Sequence, residues 1–544
     1  MLLQSREDSS GEFCADKIKS ASAFFVLILI WTFTHSGWTA ETPDLARSRA
    51  EIQRHVRYLA SDELMGRGVD TPGIELARDY IAREFKQYGL VPGGDKGTYF
   101  QELEVVTGAK IKEPTAAILS ENSPLVVDRD WTPFGASRSG EAEGEVVFVG
   151  YGITAQGYDY DDYAGVDASG KIALVLRYEP PPLRDKSPFQ KTPRYSRYSA
   201  VSEKIANARN HGAIAMILVD PNPTPTGQKE LISLRRSMSR NDSGLVALQV
   251  RREIIEKWLA HSNISLAALK EKIDRDEKPA SVPLSGLRAS FRVALEKITK
   301  KTDNVIGILP GSDPSLKEQN IVIGAHYDHI GLGYFGTRDS STEGQIHNGA
   351  DDNASGTAVL MDLARRLSLP THRPLRTIVF TAFTGEELGI RGSRYYVEHP
   401  PFPLRSTVAM LNMDMVGRMK DSQVTVSGAD TAKEFSAWVS QAGKEVELEI
   451  QFSSGRMGGS DHASFQQKEI PALHFYTGIH EDYHRPTDDW EKLNMEGMAK
   501  VSDLVLNVAQ RIASSKESLN FVRTQPATSP SQSSPTSHPP APYP

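Results

Sequence analysis

From Asn304 onward the chain repeats one pattern, a short hydrophobic run and then an amphipathic helix, and that pattern admits few folds. The runs at 305–309, 321–325, 377–383, 407–413, 424–426 and 472–476 are continuous rather than alternating, which marks strands buried on both faces. Between them Val359, Leu360, Leu363, Ala364 and Leu367 line one side of a helix. The alternation predicts an α/β fold, a central sheet flanked by helices.

Four of these runs lead into residues able to hold a metal. The run 321–325 ends at His326, with Asp328 two residues on, and 377–383 leads into Gly385-Glu386-Glu387. The run 407–413 ends at Asp414, and 472–476 is followed after a short loop by His484. The segment Gly349-Ala350-Asp351-Asp352-Asn353-Ala354-Ser355-Gly356 adds carboxylates just before a helix. Open α/β sheets gather their sites at the carboxyl ends of strands, so these residues can converge. Taken singly, a Glu-Glu pair is an ordinary solvated face and a Gly-Asp-Asp turn an ordinary loop. Five candidate ligands around one sheet is a stronger statement than any of them.

The chain has a single cysteine, Cys14, which excludes an intramolecular disulfide and thiolate ligation in the body and leaves His, Asp and Glu as ligands. Two zinc ions about 3.5–4 Å apart need one bridging carboxylate and further N/O ligands on each ion. His326, Asp352, Glu387, Asp414 and His484 meet that count. Glu386, beside a ligand, is then placed to take the proton of the activated water. Asp328 is expected to accept a hydrogen bond from the His326 ring and fix its tautomer.

The motifs GAHYDH, NGADDNASG, FTGEELGIRGS, LNMDMVG, SDH and YHRPTDDW resemble the bacterial leucyl aminopeptidase type of co-catalytic zinc peptidase. That superfamily also holds glutamate carboxypeptidase, the glutaminyl cyclases and the transferrin receptor. YLASDELMGRGVDTPG and GDKGTYFQ resemble its bacterial members as well, so the likeness runs from Glu41 to about Leu519. It implies a zinc-dependent exopeptidase fold, two Zn²⁺ per chain, and peptide substrates cleaved at the N-terminal residue. It further implies that His326 and Asp414 serve one ion, Glu387 and His484 the other, with Asp352 rather than Asp351 shared, and that Glu386 is the general base. Carboxypeptidase or dipeptidase action shares this metal core. A glutaminyl cyclase binds one zinc and lacks an insert, and a non-catalytic binding protein of the transferrin-receptor branch has lost ligands that this chain retains.

The organisation follows from texture. Residues 1–40 carry Lys17 and Lys19 ahead of the apolar run AFFVLILIWTF and read as a signal peptide, or as a signal anchor that tethers the chain to a membrane. The expected location is therefore periplasmic or extracellular. Residues 41–123 form the first part of the peptidase domain, with helices carrying Ile52, Val56 and Leu59 and then Ala77, Ile81, Phe85 and Tyr88, the second opening at Thr71-Pro72. Residues 124–290 hold short buried runs at 146–149, 172–176 and 214–219 and a helix at 201–210. With VGYGI, YDDYAGVDASGKIALVLR and KIANARNHGAIAMILV, this block resembles an inserted protease-associated domain, a lid or packing partner. Residues 291–522 are the catalytic part, and 523–544 a Pro/Ser/Thr-rich tail that cannot pack a core. A formal charge of −7 argues against nucleic acid as a partner. Arg456, in the loop SSGRMGGSDH, is a candidate specificity residue, and Ser460-Asp461-His462 is expected to support the site. His329, His347, His474 and His480 are expected to be structural.

Overall fold

The computed structural model describes residues 43–119, 124–184, 187–190, 195–223, 230–234, 243–453, 459–517 and 519–523. The apolar N-terminal run, Arg456 and all of the tail beyond 523 lie outside these residues. No described helix is long and apolar enough to cross a membrane. The chain divides into Met1–Ala46 and a body, Arg47–Pro544.

The body holds two large sheets. The first, nine-stranded, is centred on four parallel strands in the order Thr377–Phe383, Asn320–His326, Thr407–Met413, Ala472–Tyr476. Antiparallel neighbours extend it, Leu295–Leu309 beside Thr377–Phe383 and Gln423–Ser427 beside Ala472–Tyr476. The mixed sheet matches the alternation in the sequence, and the reason for the continuous apolar runs is visible. Val322, Val379, Phe383 and Met410 pack on Tyr396, Val397 and Phe465, from the helices Arg391–Glu398 and His462–Gln466. Residues of opposite parity such as Ile321 and Ile323 are also fully buried, so both faces are covered.

The helix Gly356–Leu367 departs from expectation. Every residue of it is buried, Asp362, Arg365 and Arg366 included, rather than one apolar face alone. The charges on its other side are paired. Arg365 donates to Asp362 at 2.6 Å, Arg366 meets Asp503 of the helix Met495–Ser514 at 2.6 Å, and Ser502 donates to Asp362 at 2.7 Å. Burial of such groups is tolerated only with partners of this kind.

The second helix begins at Gly73, and the Thr71 hydroxyl donates to Gly68 O rather than capping it. Ala77, Ile81 and Phe85 form its buried stripe.

The second sheet, seven-stranded, is the insert. Its core strands Gly140–Phe148, Ile172–Leu176, Ala215–Val219 and Val246–Val250 are parallel neighbours in that order. Ile172, Leu174 and Leu176 enter one hydrophobic cluster with Trp131 and Trp258, and Ala173 and Val175 enter another with Met216 and Leu218. The sheet also takes in Ala116–Ile118, which precedes the block 124–290, and Val282–Val293, which runs just past its end. It is joined to the first sheet by a long antiparallel ribbon, Phe100–Ile111 with Leu295–Leu309.

Candidate metal centre

The parallel register brings the carboxyl ends of the four central strands to one edge: His326 lies opposite Phe383, and Met413 opposite Phe475. Two sets of potential ligands meet there. His326, Asp352 and Asp414 form one, and His329, Asp352, Glu387 and His484 the other, with all ligand atoms of a set within 4.8 Å of one another. Asp352 belongs to both. His326 Nε2 is 3.4 Å from Asp352 Oδ1 and 3.2 Å from Asp414 Oδ1. His484 Nε2 is 3.1 Å from Asp352 Oδ2 and 3.2 Å from Glu387 Oε2.

The turn that carries Asp352 is stapled to the segment that carries Asp414. Asn353 donates to Met413 O and accepts from the amides of Gly356 and Met415, while Ser355 donates to Asp351 O and accepts from the Val416 amide. Gly349, at φ +57°, opens this turn. A Cβ there would lie 2.3 Å from Asp352 O and 2.4 Å from the His329 ring, so no larger residue fits. The Asp352–Asn353 peptide is cis. Thr357 then ties the helix start to His326 O at 2.7 Å.

The donor set fits zinc: nitrogen and carboxylate oxygen, buried except for the half-buried Asp414, with the imidazoles oriented. The orientation can be read from the far side of each ring. His326 Nδ1 faces Asp328 O at 3.1 Å, and His484 Nδ1 faces Gly336 O at 2.7 Å. A carbonyl only accepts, so each Nδ1 carries a proton and each Nε2 is the nitrogen turned to the carboxylates, where a metal ion would take the place of a second proton. Burial works to lower the His326 pKa, yet Asp414 and Asp352 hold it well above its usual value. His484 is raised in the same way against burial, by Glu387 and Asp352. The centre of the cluster demands positive charge, which a cation satisfies better than protons on rings.

Glu386 and Glu387 are adjacent and oppositely tuned. Burial drives Glu386 well above the carboxylate range; His326 opposes this, and Asp414, Asp461 and Glu387 reinforce it. Burial would raise Glu387 too, but the charge on His484 and hydrogen bonds from His329 and His484 override it and bring Glu387 to about 2. One is held ionised among cations and the other is poised to carry a proton, the divergence expected of a ligand and an acid–base group.

The expectation for Asp328 is corrected. Its main-chain carbonyl, not its carboxylate, faces the His326 ring; the carboxylate stands 3.8 Å away. The carboxylate instead accepts the amides of Glu386 and Glu387 at 3.1 and 3.3 Å, fixing the loop that carries both glutamates. Burial pushes Asp328 up to about 7.

His329, read from sequence as structural, joins the second ligand set, with Nδ1 2.7 Å from Glu387 Oε1. His480 lies outside both sets, 3.1 Å from Asp351, which also accepts the Gly417 amide. Asp351 is thus turned away from the shared position. His347 bonds Gln345 O and Thr337, and His474 bonds Asn412. Ser460 accepts from Asn412 at 2.8 Å, and burial pushes Asp461 up to about 7.

Two further residues shape the site without being ligands. Asp488, fully buried, accepts the amides of Asp351 at 2.9 Å and Asp352 at 3.2 Å. Arg67, also fully buried, donates to Leu59 O, Tyr327 O, Asn348 O and Gly349 O at 2.5–2.8 Å, clamping both ends of the 327–349 segment. Both lie within motifs that carry the family resemblance, Arg67 in YLASDELMGRGVDTPG and Asp488 in YHRPTDDW, and that was the only signal available in sequence.

Residues 304–509 match the model of peptidase family M28, and residues 142–257 match the PA domain. The likeness to peptidase family M28 thus lies in the part of the chain that carries the ligand cluster. Among curated relatives, aminopeptidase YwaD of Bacillus subtilis is 27% identical over 372 residues, 65% of this chain and 66% of that protein. Leupeptin-inactivating enzyme 1 of Streptomyces exfoliatus is 27% identical over 209 residues, 38% of this chain and 42% of the relative. The chain therefore spans about two thirds of the first relative and less than half of the second. The fold is that of an aminopeptidase from Aneurinibacillus sp. strain AM-1, with a TM-score of 0.54 at 22% identity, covering 88% of this chain and 98% of the other.

Proposed function

We propose that this chain is a zinc aminopeptidase of the M28 type that removes the N-terminal residue of peptides, with two zinc ions per chain and Glu386 as general base. The observation that carries the reading is the pair of ligand sets sharing Asp352, with Glu386 outside both sets and next in the chain to the ligand Glu387. In this reading His326 and Asp414 hold one ion, Glu387 and His484 the other, and Asp352 both, while His329 steadies Glu387. Zinc at these positions supplies Lewis-acid polarisation of the scissile carbonyl and lowers the pKa of water. Glu386 accepts the proton as the water oxygen bonds to the carbonyl carbon, and returns it to the amine nitrogen as the C–N bond breaks. Asp328 keeps Glu386 in place through the loop amides.

Elemental analysis of the purified protein together with hydrolysis of leucyl-p-nitroanilide tests the proposal. Two zinc ions and turnover are expected. Cleavage of N-acetylated dipeptides with no action on the anilide would instead indicate carboxypeptidase specificity, and one tight ion with no activating second would favour a cyclase-like centre.

The N-terminal apolar run is proposed as an export signal. Expressed in a Gram-negative host, the protein is expected in periplasm or medium with its N-terminus between Ser36 and Glu41. An intact Met1 in the membrane fraction would show a tether.

A further inference from the structure

Behind the shared ligand lies a row of charges to which the mechanism assigns no task. Asp488 Oδ2 accepts the amides of Asp351 at 2.9 Å and Asp352 at 3.2 Å, and its main-chain carbonyl accepts the Ala350 amide at 3.0 Å. The other carboxylate oxygen, Oδ1, meets Arg418 Nη2 at 3.4 Å. Asp488 is fully buried, and among the described residues Arg418 is the only cation within ion-pair distance of it. Arg418 is itself held from the far side. Nη2 donates to Asp482 at 2.7 Å, and Asp482 accepts in turn from Lys492 at 2.7 Å and Thr487 at 2.6 Å. The Arg418 main-chain amide donates to Thr477 Oγ1 at 3.1 Å, and Thr477 donates to Met415 O at 2.8 Å. Arg418 follows the ligand Asp414 in the segment Met415-Val416-Gly417, and Asp488 follows the ligand His484 in the segment Arg485-Pro486-Thr487. One ion pair therefore joins a ligand segment from each metal set to the turn that carries the shared Asp352.

We infer that Arg418 is a positioning residue of the metal centre: through Asp488 it fixes the direction of the Asp352 carboxylate, and so sets the affinity of both metal positions together. The inference rests on the two-zinc reading of the site. Its physical reason is the place of Asp488, behind a crowd of carboxylates and away from water. A charge in such a place keeps its position only with a cation upon it. With the guanidinium on Oδ1, Oδ2 stays turned to the two amides, and these hold the peptide from which Asp352 projects. Orientation of a ligand by a neighbour of this kind is worth about 10–100-fold in metal affinity. Lysine keeps the charge but lacks the rigid plane of the guanidinium, so it should replace arginine only in part.

Zinc affinities of the full chain, read by competition with a chelator, test the role alongside urea denaturation of the metal-free protein. Arg418→Ala is expected to weaken both ions by about 10–100-fold, and Arg418→Lys to recover part of the loss. Asp488→Asn, which keeps the shape of the side chain, should give a loss of similar size. The double variant should lose no more than the larger single loss, because both residues act through one contact. If alanine at 418 does not yield folded protein, Arg418→Lys and Asp488→Asn carry the same comparison. A lower urea midpoint with both affinities unchanged leaves Arg418 a merely structural residue and overturns the inference. Additive losses in the double variant, or a loss confined to one ion, overturn it as well. The parent protein separates the two claims. Two ions and turnover in the parent, with unchanged affinities in the variants, refute the positioning role and leave the peptidase reading intact. A single ion in the parent refutes the two-zinc reading, and the role of Arg418 is then read on that ion, since Asp352 belongs to both ligand sets. A parent that binds no zinc overturns both.

Discussion

Replacing Glu386 with Gln is the most discriminating perturbation, because the same change one residue later should fail in a different way. Both carboxylate oxygens of Glu387 are engaged, Oε1 by His329 at 2.7 Å and Oε2 by His484 at 3.2 Å. Among the described residues no hydrogen bond or ion pair reaches the Glu386 carboxylate; the residue is held by its main chain, the amide donating to Asp328 and the carbonyl accepting from Gly389 and Ile390. Glutamine at 386 therefore disturbs no contact that builds the cluster and removes only the capacity to carry a proton. A positioned acid–base group contributes about 10²–10⁴-fold, so kcat should fall by that factor, about 2.7–5.4 kcal/mol in barrier. Zinc content and melting temperature should stay near those of the parent. Glu387→Gln should lose a metal ion along with activity, since a neutral amide replaces a carboxylate held at about 2. The assay pairs elemental analysis with leucyl-p-nitroanilide kinetics on both variants. Loss of zinc from Glu386→Gln, with both ions retained by Glu387→Gln, would reverse the assignment. Retention of zinc and full kcat by both would refute the mechanism.

Other outcomes follow from the same geometry. Asp352→Ala should lose both ions, whereas His326→Ala should weaken one more than the other, as titration with a competing chelator will show. Arg67→Met should destabilise the metal-free chain, since it removes the guanidinium from the buried carbonyls of Leu59 and Tyr327 at about 1–3 kcal/mol each, and from Asn348 O and Gly349 O besides; urea denaturation measures it, and an unchanged midpoint would refute the clamp. Burial pulls His347 down to about 4, so the folded chain refuses a proton that the unfolded chain takes up near 6.5. Stability from this ring is complete above about 6.5 and is lost as pH falls toward 4. The slope of urea midpoint against pH in that window should flatten in His347→Gln.

The strands and the strand-end residues were legible in sequence because both are local properties. A continuous apolar run marks a strand covered on two faces, and parallel register carries whatever follows it to one edge, which is how His326, Glu386, Glu387 and Asp414 meet. The ribbon Phe100–Ile111 with Leu295–Leu309 was not legible over most of its length. Its stretch ITKKTDN is charged and half exposed, and it pairs across nearly two hundred residues of insert. The charged side of Gly356–Leu367 was equally hidden, since burial there depends on Asp503 and Ser502 arriving from a distant helix.

At the site itself the residue types came from sequence and the directions of their side chains from the fold. Which of Asp351 and Asp352 turns inward is decided by Asp488, Gly417 and His480, none of them near the turn in sequence except through packing. Asp328 sits two residues from His326, yet its carboxylate is drawn to the Glu386 loop because the neighbouring strand ends at the same level. His329 enters the cluster because the 327–349 segment leaves the strand and bends back, with Arg67 binding its two ends. Periodicity and spacing determine which groups are delivered to the edge of the sheet. Only long-range hydrogen bonds, which no local pattern encodes, determine which of their atoms face one another.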